Sequence, residues 1–345
     1  FASISYFHLP AHLKRCFAYC SIFPKQSLLD RKELILLWMA EGFLQHNKEK
    51  AMESVGDDCF NELLSISLIQ KDSAIAEENF QMHDLIYDLA RLVSFGRSSC
   101  YFEGSEISRT VPHLSFLREM FDVSEKFEAL YELKCLPTFL PHSEYPTFLP
   151  RMVYPSEHCY LTKMVSHGWL PKLRCLRILS LTKYKNITEL PDFIGNLLHL
   201  QYLDLSYTSI ESLPYEIFML YNLQTLILSI CEFLIQLSRQ IGNLVSLRHL
   251  DISDTNLPEM PTQICRLQDL RNLTVFIVGR QDGLSIRDVR KFPYLKGKLS
   301  ILNLQNVVNP VDAFWANLKN KEQIEELMLE WGSDPQDPQI EKRCT

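Results

Sequence analysis

LQYLDLSYTSIESLP, residues 200–214, places leucines at 200, 203 and 205 and closes on Leu213-Pro214. The same Leu-x-x-Leu-x-Leu pattern, or a close variant, begins again at Leu176, Leu223, Leu247 and Leu270. The five copies follow one another at 24, 23, 24 and 23 residues, and the first four end on Leu190-Pro191, Leu213-Pro214, Leu237-Ser238 and Met260-Pro261. Chance does not put five such units in register. Successive side chains of an extended strand point to opposite faces, so Leu203 and Leu205 share one face and Tyr202, Asp204 and Ser206 share the other.

One unit cannot bury its leucine row alone, whereas stacked units form a continuous core under a parallel sheet that lines one side of a curved solenoid. The period is that of leucine-rich repeats. The outward row then reads Ile178/Ser180/Thr182, Tyr202/Asp204/Ser206, Thr225/Ile227/Ser229, His249/Asp251/Ser253 and Asn272/Thr274/Phe276. Within it Tyr202, Asp204, Thr225, Ile227, His249, Asp251, Asn272 and Thr274 are the candidate protein-binding surface. Beyond Val278 the spacing loosens, with strands expected again at Leu299-Leu302-Leu304 and Ile324-Leu327-Leu329 and a helix at Asp312 to Asn320 between them.

Residues 1–95 have a different texture, with helix punctuation and no repeat. Pro10 suits the first turn of a helix that runs through Cys20 until Pro24 blocks it. Asp30 with Glu33 resembles a capping box, Leu34, Leu37 and Trp38 form an apolar face, and Gly42 supplies the stop. A third helix spans Ala51 to Ser65, Leu68 to Lys71 and Phe80 to Met82 read as short strands, and a last helix runs from Asp84 to about Ser94. Three helices, a hairpin and a closing helix predict a winged-helix domain. Residues 96–172 form an irregular stretch. There Val111 to Phe116 reads as a first repeat strand, and Pro-Thr-Phe-Leu-Pro occurs at Pro137 to Pro141 and again at Pro146 to Pro150. Prolines at that density forbid a long helix, which leaves degenerate early repeats. The fold expected is therefore α+β followed by a solenoid: winged helix (1–95), degenerate first repeats (96–172) and leucine-rich repeats with a parallel sheet (173–345), truncated at the C-terminus.

With 345 residues the chain has room for about two domains. A net charge of −7 without a block of five like charges gives no nucleic-acid or membrane arm. The longest apolar run, Leu34 to Ala40, is far short of the roughly 20 residues a membrane span needs. The ten cysteines contain no Cys-x-x-Cys and read as buried thiols of a reducing, cytoplasmic compartment. Sequons at Asn186 and Asn272 matter only in a secreted chain. The chain opens on Phe1, and is read as part of a longer protein.

Three ordered stretches carry a resemblance: CFAYCSIFP at Cys16 to Pro24, LILLWMAEGFL at Leu34 to Leu44, and MHDLIYDLA at Met82 to Ala90. With LQYLDLSYTSIESLP, LRHLDIS at Leu247 to Ser253 and GKLSILNLQNV at Gly297 to Val307, the chain resembles the coiled-coil branch of the plant nucleotide-binding (NB-ARC) leucine-rich-repeat disease-resistance proteins, without the N-terminal nucleotide-binding part. That resemblance implies an intracellular immune receptor switched between ADP and ATP states, which recognises a pathogen effector directly or through a guarded host protein and oligomerises on activation. It implies that His83 contacts an ADP phosphate in the intact receptor, with Met82 and Asp84 as motif support. It also implies that the repeats from Leu176 to Phe276 contact the intramolecular NB-ARC module. The alternative is a truncated repeat scaffold that binds a partner protein without nucleotide switching.

The residues alone temper this. Without the resemblance, His83 merely begins a helix with Asp84 as its cap. No Gly-x-x-x-x-Gly-Lys-Ser/Thr occurs: Gly297-Lys298 has Phe292 in place of the first glycine and Leu299 in place of the hydroxyl. No enzyme is therefore expected, and no nucleotide is expected to bind this stretch alone. His8, His12, Cys16 and Cys20 are metal-ligand types, but four helical steps of about 6 Å each keep them from one ion. The Ala51 to Ser65 helix carries Glu53, Asp57, Asp58 and Glu62, with no Lys or Arg from Ala51 to Gln70, which excludes a DNA-reading role. His249, Asp251 and Ser253 lie side by side on one strand rather than converging as a hydrolase triad.

Overall fold

A computed structural model describes residues 6–45, 50–71, 79–94, 101–102, 113–118, 130–131, 133, 135–143, 168 and 170–332. The chain forms two compact units, one of residues 1–186 with 196–204 and one of residues 187–195 with 205–345. The second copy of Pro-Thr-Phe-Leu-Pro, at Pro146 to Pro150, lies outside the described residues.

The first unit begins with helices α1 (Ala11–Tyr19), α2 (Arg31–Glu41) and α3 (Met52–Ser65), the antiparallel pair β1 (Gln70–Lys71) and β2 (Phe80–Gln81), and helix α4 (Asp84–Val93). Local chemistry sets the ends of α2. The Asp30 carboxylate accepts the Glu33 amide at 2.7 Å, and Gly42 at φ 70° lets the Gly42 and Phe43 amides turn back onto Met39 and Trp38. Trp38, Phe60 and Phe80 then stack as a buried aromatic row, with Phe60 and Phe80 edge to face at 4.7 Å. This is the winged helix that the punctuation predicts.

The same unit continues into a parallel sheet ordered β3 (Tyr101–Phe102), β4 (His113–Arg118), β5 (Thr138–Ser143), β6 (Ile178–Ser180) and β7 (Tyr202–Asp204). Three of these strands fall in the irregular 96–172 stretch, and β5 is the first Pro-Thr-Phe-Leu-Pro segment.

In the second unit β8 (Thr225–Ile227), β9 (His249–Asp251) and β10 (Asn272–Leu273) pair in parallel, as do β11 (Val275–Ile277), β12 (Gly297–Leu302) and β13 (Ile324–Leu329). The break between β10 and β11 has a cause. The Thr274 hydroxyl accepts the Ile252 amide and donates to the Asp251 carboxylate, taking over ladder bonds where the strand bends. A short helix α5 (Pro310–Trp315) and a 3₁₀ turn at Leu318–Asn320 replace the single helix expected there.

Each repeat turns with a residue in the left-handed region: Lys183, Tyr207, Ile230 and Asp254, at φ 65°, 59°, 58° and 52°. They recur at the repeat period, so the turn belongs to the repeat itself. Branching at Cβ makes Ile230 the costly one. Ile230→Asn is expected to stabilise the second unit by about 1 kcal/mol, read as a rise in its urea midpoint. A lower midpoint would mean that side-chain packing at 230 outweighs the backbone strain.

Candidate functional site

Three places in the described residues carry chemistry. The first is His83, which the structure makes the N-cap of α4 itself: its ring Nδ1 accepts the Leu85 amide at 3.3 Å. That corrects the reading of Asp84 as the cap. The Asp84 carboxylate is instead held by the Gln26 side-chain amide at 3.2 Å. His83 is exposed and Met82 beneath it is buried, so the motif presents an imidazole at the surface at the start of a ten-residue helix, whose Leu85 amide the ring takes and whose Ile86 and Tyr87 amides bond the His83 carbonyl at 2.8 and 2.9 Å. Such a helix start favours an anion.

The second place is the outward face of β6 and β7, where the sequence expected an open surface. Here α2 packs against both strands. Ile178 and Ser180 are buried and Tyr202 is 1% exposed. Burial raises the Tyr202 phenol well above its ordinary range, with the acids Asp204 and Glu33 adding to it. Burial, then Asp30 and Asp204, push the Glu33 carboxyl up to about 8, while Lys183 pulls the other way. The folded unit thus keeps a proton that the unfolded chain releases near pH 4.3. Stability from Glu33 is full below that value and is lost as pH rises through about 8. His142 runs oppositely: burial pushes its imidazole down to about 4 against the pull of its Ile22 carbonyl contact at 3.1 Å. Its contribution is present above about pH 6.5 and is lost as pH falls. Of the two, only Glu33 acts between about pH 7 and 8, so Glu33→Gln is expected to flatten the fall in urea midpoint across that window. An unchanged slope would place the carboxylate in free solvent.

The third place was not legible in the pattern. Glu41, the last residue of α2, is 4% exposed, and its Oε1 lies 3.1 Å from His113 Nδ1. Its carboxylate also accepts the buried Thr138 hydroxyl, and its backbone carbonyl accepts Arg177 Nη1 at 2.8 Å. The His113 ring stacks edge-on against Tyr19 at 5.3 Å, and Ser115 donates to the Ile22 carbonyl. An acid of the winged helix is thereby held by side chains from β4, β5 and the residue preceding β6. The one available signal was a glutamate closing the otherwise apolar LILLWMA run.

In the second unit the in-register residues Thr225 and His249 are buried, while Asn272 beside them is half-buried. Ile227, Asp251 and Thr274 are half-buried too, as is Asp204 in the first unit. Asp251 accepts the Ser253 hydroxyl at 2.7 Å and the Thr274 hydroxyl at 2.9 Å. Asp251 and Ser253 thus form a local hydrogen-bonded turn with Thr274. The described residues contain no cluster of metal-ligand types and no helix long and apolar enough to cross a membrane. The reading of every cysteine as a buried thiol is corrected. Cys135, exposed, and Cys175, half-buried, are joined as a disulfide with Cα atoms 5.3 Å apart, and Cys16, Cys20, Cys59 and Cys231 are the buried free thiols.

Comparison with known proteins agrees with these elements. The disease resistance protein winged helix domain matches residues 22–90, a leucine-rich repeat region matches 151–234, and the R13L1/DRL21 leucine-rich repeats match 286–344. An RPP13-like disease resistance protein of Arabidopsis thaliana is 47% identical over 331 residues, 95% of this chain and 30% of its own length. This chain belongs to the plant disease-resistance proteins. A second Arabidopsis thaliana member of the family is 44% identical over 95% of this chain and 22% of its own length. The disease resistance protein RGA2 of Solanum bulbocastanum is 34% identical over 96% of the chain and 30% of its own length. The chain therefore spans less than a third of the family relatives it matches, and it does so through the winged helix and the repeats, which supports a role in plant defence.

Proposed function

We propose that this chain is the winged-helix and repeat portion of a cytoplasmic, nucleotide-controlled immune receptor of the NB-ARC class. In this reading His83 is the group it contributes to bound ADP. The observation that carries it is the exposed His83 at the start of α4, inside the matched winged-helix domain. An exposed imidazole at the positive end of a helix fits a phosphate, which would take the place of the Leu85 amide's bond to the His83 ring, and the remaining contacts come from residues outside this chain. A charge-assisted hydrogen bond of this kind is worth about 1.5–3 kcal/mol, or roughly 10- to 150-fold in an equilibrium.

In the longer protein, His83→Ala is thus expected to weaken ADP binding by roughly 10- to 150-fold and to favour the activated state. Titration calorimetry with ADP reads this. Equal affinity for parent and variant removes His83 from the nucleotide site.

The repeats divide by what they can reach. The outward residues of β6 and β7 serve an internal contact with the winged helix. Ile227, Asp251, Asn272 and Thr274 remain for an effector or a guarded host protein. The burial of Tyr202 beneath α2 supports the first half of that division.

A further inference from the structure

Cys135 and Cys175 occupy the same place in successive repeats. Leu133-Lys134-Cys135-Leu136 precedes β5 and Leu173-Arg174-Cys175-Leu176 precedes β6, and those two strands pair in parallel with Thr138 opposite Ile178. The register therefore brings two sequence-distant cysteines together, with Cα atoms at 5.3 Å, inside the range a disulfide spans. The matching positions of the next four repeats are His199, Asn222, Ser246 and Asp269, so the pair does not recur along those repeats. Among the described residues Cys135 is open to solvent, whereas Cys16, Cys20, Cys59 and Cys231 are buried and Cys265 is half-buried.

The pair also sits on the grip around Glu41. Thr138, three residues after Cys135, donates to the Glu41 carboxylate, and Arg177, two residues after Cys175, donates to its backbone carbonyl. Between them the Arg177 and Ile178 amides both donate to the Pro137 carbonyl, at 2.7 and 3.0 Å. A bond between the two sulfurs fixes the spacing of the strands that hold Glu41.

We propose that Cys135 and Cys175 form a reversible redox staple, closed by exchange with a small disulfide of the glutathione class, which locks the two strands that clasp Glu41. The exposed Cys135 thiolate attacks the small disulfide, forming a mixed disulfide and releasing one small thiol. The Cys175 thiolate then attacks the Cys135 sulfur and expels the second small thiol. Two electrons pass from the protein dithiol to the small disulfide, and the two thiol protons leave with the two released thiolates. A dithiol restores the open form by the reverse steps. In a reducing compartment such a bond is transient and responds to oxidant. This does not depend on nucleotide binding.

The test takes the full 345-residue chain through a series of reduced-to-oxidised glutathione ratios, followed by acid quench, maleimide labelling and peptide mass analysis. Cys135 and Cys175 are expected to lose their labels together, giving one linked peptide pair, and the Arg177 and Ile178 amides are expected to exchange several-fold faster after reduction. In Cys135→Ser, Cys175 stays free of any protein disulfide and amide exchange no longer responds to the ratio; replacing an exposed cysteine leaves the core intact. The proposal is overturned if the two cysteines stay labelled in the most oxidising buffer, if either links to another cysteine, or if Arg177 and Ile178 exchange alike in both states.

Discussion

Glu41→Ala is expected to cost the first unit about 3 kcal/mol, because it removes the acceptor at the centre of a buried polar cluster and leaves its partners in place. Thr138 is fully buried and His113 is 7% exposed, so neither can turn to bulk water once the carboxylate is gone; they keep each other, with His113 Nδ1 3.0 Å from the Thr138 hydroxyl, but the acceptor they share is lost. Each buried group left without a partner costs about 1–3 kcal/mol. Arg177 is half exposed at its side chain and recovers hydration, so most of the loss falls on the other two. Glu41→Gln keeps an acceptor for Thr138 and is expected to lose less than half as much. Urea unfolding followed by hydrogen exchange at Trp38 and Phe139 reads the difference on both sides of the contact. A loss confined to Phe139, with Trp38 unchanged, would mean that the winged helix does not rely on the strands for stability.

Leu250→Ala is expected to cost the second unit about 2–5 kcal/mol, among the largest effects available to a single substitution in the repeats. Leu250 is fully buried in β9, opposite Leu226 of β8 and Leu273 of β10. Truncation opens a cavity bordered by leucines of both neighbouring repeats. A repeat core couples each unit to the next, so hydrogen exchange is expected to quicken at Leu226 and Leu273 as well as at position 250. The outward neighbour Asp251 is the contrast: Asp251→Asn keeps acceptors for Ser253 and Thr274 and stays within about 1 kcal/mol. A cost below about 1 kcal/mol for Leu250→Ala would mean that the leucine row is loosely packed.

The repeats were readable because the residues that define them also bury them. Leu179, Leu203, Leu226 and Leu250 are all fully buried, as alternation and the repeat period predict. The winged helix was readable for a local reason, since Asp30, Gly42 and Pro10 act within a turn or two of chain. What sequence could not show was long-range. The pattern gives Ile178, Ser180 and Tyr202 an outward direction, but whether that direction meets water or a helix depends on where α2 docks. Glu41, His113, Thr138 and Arg177 are scattered over four elements with no shared motif, so no spacing announces them. The prolines excluded a long helix but did not place the strand, and Pro141 lies within β5, which pairs with both β4 and β6. The cysteine pair stood between these cases: aligning Leu133 to Leu136 with Leu173 to Leu176 sets the two thiols side by side.

The most direct measurement is hydrogen exchange on the longer receptor loaded in turn with ADP and with a non-hydrolysable ATP analogue. If His83 lies on the nucleotide, the amides from Asp84 to Tyr87 at the start of α4 are slower in the ADP form, while Tyr202 under α2 stays protected in both. Identical exchange at Asp84 to Tyr87 in the two nucleotide states would contradict the account.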